Sequence, residues 1–251
     1  MHLKYCLLAF ATLLLACQSN SQNRIQINIP SAQQEAEYIY RTIQDIQFFE
    51  THNYQVSLPA GSLIKELKEK AKAGNLEPSD YERLETFVVD SVYQKADYQK
   101  GYDKIEQDLT LVNRMIGEID PSKFDWSFKE FERYAVNLTL YGPGGSFDPT
   151  AGSILIFTTP GGQFKGYDKP TATLIHEIVH IGIDESIISK YNVPHPLKER
   201  IVDTFVELHF GKYLPEYRIQ NMGDTRTDPF LKTTADFKTL DQIVQRIMEE
   251  N

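Results

Sequence analysis

Thr171-Ala172-Thr173-Leu174-Ile175-His176-Glu177-Ile178-Val179-His180-Ile181-Gly182 is the stretch that decides how this chain is read. On a helix of about 3.6 residues per turn, His176 and His180 stand one above the other and Glu177 points to an adjacent edge. Leu174, Ile175, Ile178, Val179, Ile181 and Ile183 make the helix apolar nearly all round, the pattern of a helix buried at the centre of a domain. Two imidazoles and a carboxylate in such a place need partners, because an uncompensated buried charge is costly. Either a metal ion meets that need, or backbone carbonyls and a basic side chain do. Gly182 is expected to end the helix.

His176-Glu177-x-x-His180 is an H-E-x-x-H pattern. Neutral imidazole suits zinc, and a zinc site that keeps one position for water lowers that water's pKa from about 15.7 to about 7. A carboxylate beside the first ligand can take the proton and later return it to a leaving amine.

Two histidines leave a third ligand to find. Pro196 to Lys212 reads as a second helix, with proline in its first turn, a stripe of Ile201, Val202, Phe205, Val206 and Leu208, and Gly211 at its end. Glu199 and Asp203 lie one turn apart beside that stripe. One carboxylate could ligate the metal while the other holds a ligand histidine through its second ring nitrogen. The rivals are His195, set between Pro194 and Pro196, and Asp184 and Glu185 just past the first helix.

His176-Glu177-x-x-His180, eighteen intervening residues and then Glu199-x-x-x-Asp203 resemble the metal site of the gluzincin peptidases of the thermolysin type. The resemblance implies a zincin-like fold, Zn2+ as cofactor, His176, His180 and Glu199 as ligands, Glu177 as general base and Asp203 as the group orienting the first histidine. Lys198 stands where that family commonly has an asparagine. For the histidine and tyrosine that stabilise the family's oxyanion, Tyr191, His195, His209 and Tyr213 are nearby, and no spacing selects among them. In zincins generally an edge strand above the site helix binds extended peptide. The resemblance gives that role to Ile154, Leu155, Ile156, Phe157 and Thr158.

At the N-terminus, Lys4 precedes the apolar run Tyr5 to Leu15, which has the length of a signal-peptide core. Leu14-Leu15-Ala16-Cys17 resembles the bacterial lipobox, which implies cleavage after residue 16, lipidation of Cys17, and a membrane-anchored protein of the cell envelope. The chain has two cysteines, Cys6 and Cys17, so the expected mature domain contains no intramolecular disulfide. With 35 acidic against 26 basic residues, a formal charge of −9, nucleic acid is not an expected partner. Residues 17–29 read as a polar tether.

Residues 30–251 read as one domain. Apolar spacing predicts helices over Ser31 to Thr51, Gly61 to Ala73, Pro78 to about Lys100 and Tyr102 to Ile119, giving a helical layer over residues 30–120. Arg133 to Tyr141 and Ser153 to Thr159 read as strands, joined by a Gly- and Pro-rich loop. In that loop, Gly142-Pro143-Gly144-Gly145 lacks the lysine and hydroxyl of a phosphate-binding loop. Asp236 to Glu250 reads as a closing helix. The expected architecture is therefore α+β, with a helical N-terminal layer, a small sheet and the metal-site helix pair within residues 121–251. The expected function is a zinc-dependent, lipid-anchored peptidase. The alternatives are a catalytically weak zinc- or peptide-binding lipoprotein and a peptidoglycan amide hydrolase.

Overall fold

The computed structural model describes residues 23–165, 169–221 and 224–250. The expected signal segment, Cys17 and the first part of the tether lie outside them. Among the described residues no helix is long and apolar enough to cross a membrane.

The chain is α+β. In order, it forms β1 (Ile25–Asn28), α1 (Ala32–Gln44), α2 (Ile46–Thr51), α3 (Ser62–Lys72), α4 (Pro78–Phe87) and α5 (Gln99–Glu118), then β2 (Tyr134–Thr139), β3 (Ser146–Asp148) and β4 (Ser153–Phe157), and finally α6 (Pro170–Ile183), α7 (His195–Phe210) and α8 (Leu240–Glu249). The sheet runs β1-β2-β4-β3, with β1, β2 and β4 parallel and β3 antiparallel. Period-two alternation turns Tyr134, Val136, Leu138, Ile154 and Ile156 into the core, where they meet α5 and α6. Polar side chains join strands on the other face, where Asn28 Nδ2 donates to Asn137 Oδ1 at 3.0 Å and Asn137 Nδ2 to Ser153 Oγ at 3.0 Å.

Two strand expectations need correction. Ile25–Asn28, expected to belong to the tether, is β1, because Ile25 is buried and the backbone pairs with Tyr134–Asn137. Strand β4 is not an edge. It lies between β2 and β3, so Ile154 and Leu155 have neighbours on both sides, and the antiparallel edge is the three-residue β3.

The helical layer forms as expected in its first part. Ser31 caps α1 in a reciprocal box with Gln34, and α1, α3 and α4 enclose a small core of Ala36, Ile39, Ile43, Ile64, Leu67, Leu84 and Val88. The helix begun at Pro78 does not reach Lys100. A wide turn over Val88–Val92 ends it, and Tyr93 turns away to donate its hydroxyl to Pro30 O at 2.6 Å. Helix α5 then joins the main core through Ile105, Val112, Met115 and Ile116.

Helix α6 is buried along its length except at Thr173. Gly182 does not end it, and the chain continues helically through Asp184–Ser189. Close approach accounts for this glycine, since a Cβ there would stand 2.0 Å from Phe128 Cζ. Phe128 is itself held among Phe124, Trp126 and Phe205. Gly182→Ala therefore sets a helix-propensity gain of up to ~1 kcal/mol against overpacking of about 1–3 kcal/mol. The clash is deep enough to win, and a lower urea midpoint is expected. An unchanged or higher midpoint would mean that Phe128 moves aside freely.

Candidate metal centre

Helix α6 presents His176 and His180 one turn apart, with their Nε2 atoms 3.0 Å from each other. The proline-started α7 packs across α6 and brings in Glu199, whose Oε2 lies 3.4 Å from each of the two Nε2 atoms. All three residues are buried, and together they could hold a metal ion. A tetrahedral ion with N and O ligands at about 2.0–2.2 Å sets neighbouring ligand atoms roughly 3.3–3.5 Å apart; the two Glu199 separations match this, and the 3.0 Å between the imidazole nitrogens is shorter, so a zinc-sized ion would spread the two rings slightly. The donor set, two imidazoles and a carboxylate, suits the same ion.

Asp203 lies behind the first of the two histidines. Fully buried, it lies with Oδ1 3.3 Å from His176 Nδ1. Sequence reasoning missed Tyr217 beside it, whose hydroxyl donates to Asp203 Oδ1 at 2.7 Å and lies 2.8 Å from His176 Nδ1. It also missed Gln220, whose backbone N–H donates to Asp203 Oδ2 at 2.6 Å and whose side chain donates to Glu199 Oε2 at 3.4 Å. Both come from the irregular segment after α7, which carries no periodicity to mark them. His180 is held differently. Its Nδ1 is buried without a hydrogen-bond partner, and the Phe147 ring stacks on the imidazole at 4.7 Å and 7°.

The rival ligands go elsewhere. Asp184 accepts from Ser189 Oγ at 3.0 Å, and Glu185 is exposed and pairs with Lys129 at 3.3 Å. His195 comes close without joining the three, with Nδ1 3.5 Å from Glu199 Oε1 and Nε2 2.7 Å from the hydroxyl of Tyr54. Of the four residues considered for oxyanion stabilisation, only His195 lines the cleft above the centre. Tyr191 donates to Asp241, His209 stacks on Phe205, and the hydroxyl of Tyr213 goes to Glu118.

That cleft has a volume of about 990 Å³ and lies between α1–α2 on one side and the segment Pro143–Phe147 on the other. None of Ile154, Leu155, Ile156, Phe157 and Thr158 lines it; the neighbouring residues that do are Gly145, just before β3, and Ser146 and Phe147 within it. Gly145 is there for closeness, because a Cβ on it would fall 2.3 Å from Glu177 Oε1.

Electrostatics separate the buried groups. Burial pushes the Glu177 carboxyl up to about 7, with the nearby His176 pulling down and Glu199 pushing up. Burial alone would lower His176, yet hydrogen bonds to Asp203 and Glu199 lift it well above the ordinary histidine range. Burial lowers His180 to about 4, and Glu199 only partly opposes this. Burial would raise Glu199, but its bonds to the two histidines hold it far below the usual carboxylate range. Two imidazoles 3.0 Å apart cannot both be cationic. Of the two, His176 is favoured to carry charge, with Glu199 facing its Nε2 and Asp203 its Nδ1, and a divalent ion bound at the three ligand atoms would take the place of the Nε2 proton.

Tyr217→Phe removes the hydroxyl between His176 and Asp203 and keeps the buried ring. Metal affinity is expected to fall by ~10-fold or more, within the range for lost outer partners of ligands. Competition against a chromogenic chelator measures it. Unchanged affinity would show that Asp203 holds His176 without help.

No protein-family model, no curated protein and no solved structure matches this chain.

Proposed function

We propose that this chain is a zinc-dependent peptidase of gluzincin type with a zincin-like fold, anchored through a lipid on Cys17 in a bacterial cell envelope. The observation that carries the reading is the meeting of His176 Nε2, His180 Nε2 and Glu199 Oε2 within 3.4 Å, with Glu177 beside them on an open cleft. Among the described residues no fourth histidine, cysteine or carboxylate joins that group, which favours a catalytic centre over a closed structural one. The membrane and lipid parts of the proposal rest on the sequence Leu14-Leu15-Ala16-Cys17 alone.

His176, His180 and Glu199 would hold the zinc ion, which when bound would supply a Lewis acid for the scissile carbonyl and the attacking water. Glu177 takes the proton from that water as its oxygen bonds to the carbonyl carbon. When the C–N bond breaks, Glu177 returns the proton to the amine nitrogen. A carboxyl lifted to about 7 is suited to both transfers near neutral pH. Tyr54 and His195, 2.7 Å apart on the cleft wall, are the donors placed to meet the negative charge that develops on the carbonyl oxygen.

The test is elemental analysis of the purified protein combined with mass-spectrometric profiling of a mixed peptide library. One zinc per chain is expected, with cleavage that a chelator abolishes and added zinc restores. Bound zinc with no peptide cleaved would remove the peptidase reading in favour of a metal-dependent binding protein.

A further inference from the structure

The charges lining the cleft run opposite to those of the whole chain. The chain carries a net −9, yet the cleft is lined by Arg41 from α1, Lys165 from the segment after β4, Lys198 from α7 and Arg218 from the segment after α7. The lining carboxylates are Asp45, Glu177 and Glu199, and the last two belong to the metal centre. Outside the metal centre, Asp45 is the lining's one carboxylate, set against Arg41, Lys165 and a Lys198 that pairs with Glu199. Converging like charges repel, and nothing in local sequence requires this arrangement, since the four basic residues are spread over nearly 180 residues.

Lys198 is the cation tied directly to the centre. Its Nζ is 3.5 Å from Glu199 Oε1, the oxygen turned away from the two histidines, and lies 5.4 Å over the Phe147 ring of β3. The ammonium of Lys165 is held by uncharged groups, the carbonyls of Gln55 and Pro143, which fix it on the cleft wall without neutralising it. Aromatic surface lies between the charges, with Phe48 exposed at 46% and Phe49, Tyr54 and Phe147 along the same walls. Low-dielectric walls lined by one sign of charge concentrate ligands of the other sign.

We infer that the cleft takes peptides bearing carboxylates beside an aromatic or apolar residue, an assignment that deepens the peptidase reading and rests on it. The carboxylate can come from acidic side chains or from a free C-terminus. Either would lie across Lys198, Lys165 and Arg41 with the apolar side chain against Phe48 and Phe147.

The experiment measures binding apart from turnover, using the zinc-loaded full-length Glu177→Gln variant and three fluorescein-labelled nine-residue peptides. The first has a central Glu-Phe-Glu and an amidated end, the second Gln-Phe-Gln and an amidated end, and the third Gln-Phe-Gln and a free carboxylate. The first or the third is expected to bind at least ~10-fold tighter than the second, and which of them does so identifies the source of the carboxylate. The preference should shrink between low and high salt, as charge attraction at an open cleft does. It should also fall toward one when Lys198→Ala and Arg41→Ala are combined in the same protein. Equal binding of all three peptides, or no binding at millimolar concentration, overturns the inference. Tighter binding of a carboxylate peptide that the wild-type zinc protein fails to cleave would sustain the inference and remove the peptidase reading instead.

Discussion

Glu177→Gln is expected to reduce peptide turnover by about 10²–10⁴-fold while one zinc per chain stays bound, because the change removes proton transfer and leaves the ligands in place. The amide has the size of the carboxylate it replaces, so it fits against Gly145, where there is no room for even one added carbon. Nor should the fold suffer. Glu177 is a buried carboxyl whose charged form is already disfavoured by burial, and a neutral amide there does not add to that cost. The diagnostic result is the combination of lost kcat, retained zinc and an unchanged unfolding midpoint. If turnover stays within a few-fold of wild type with zinc in place, another group is moving the proton. Tyr54 and His195, which share the cleft wall, would then be examined first.

The parts of this centre that lie on helices were legible in the sequence, and the parts that lie between them were not. His176, Glu177 and His180 share a face through helical geometry alone, and Glu199 and Asp203 share one on α7 for the same reason. The periodic signal is local, and so is the relation it encodes. Tyr217 and Gln220 reach the same carboxylate from a stretch without repeating structure, and only the path of the chain after Gly211 puts them there. Tyr54 meets His195 across 141 positions, a distance at which no spacing rule operates. Strands suffered more than helices. β1 is four residues long and half polar, and β3 is three residues inside a Gly- and Pro-rich loop, both too short to show alternation above chance. The edge role given to β4 came from the resemblance to zincins, and β3 occupies that edge instead. Gly182 illustrates a different failure, in which a residue that commonly stops a helix is present because Phe128 occupies the space of its side chain.

Glu199→Ala is expected to weaken zinc binding more than any outer-partner change does, by more than ~100-fold, since it removes a ligand atom rather than the support of one. The carboxylate does three things in this structure. Oε2 closes the triangle with the two Nε2 atoms at 3.4 Å. Oε1 lies 3.5 Å from Lys198 and 3.5 Å from His195 Nδ1, so the same side chain balances a cation and orients the cleft wall. Glu199 also faces His176 Nε2 while Asp203 faces its Nδ1, and loss of Glu199 leaves the ring supported by a carboxylate at Nδ1 only. Zinc affinity by chelator competition, with circular dichroism of the metal-free variant, separates loss of the ligand from loss of the fold. Asp203→Ala provides the internal scale, because its expected fall of ~10–100-fold belongs to a group that meets the three ligands only at the far nitrogen of His176. If Glu199→Ala binds zinc as tightly as wild type, the third ligand lies elsewhere. His195 would be the residue to replace next, since its Nδ1 lies 3.5 Å from Glu199 Oε1.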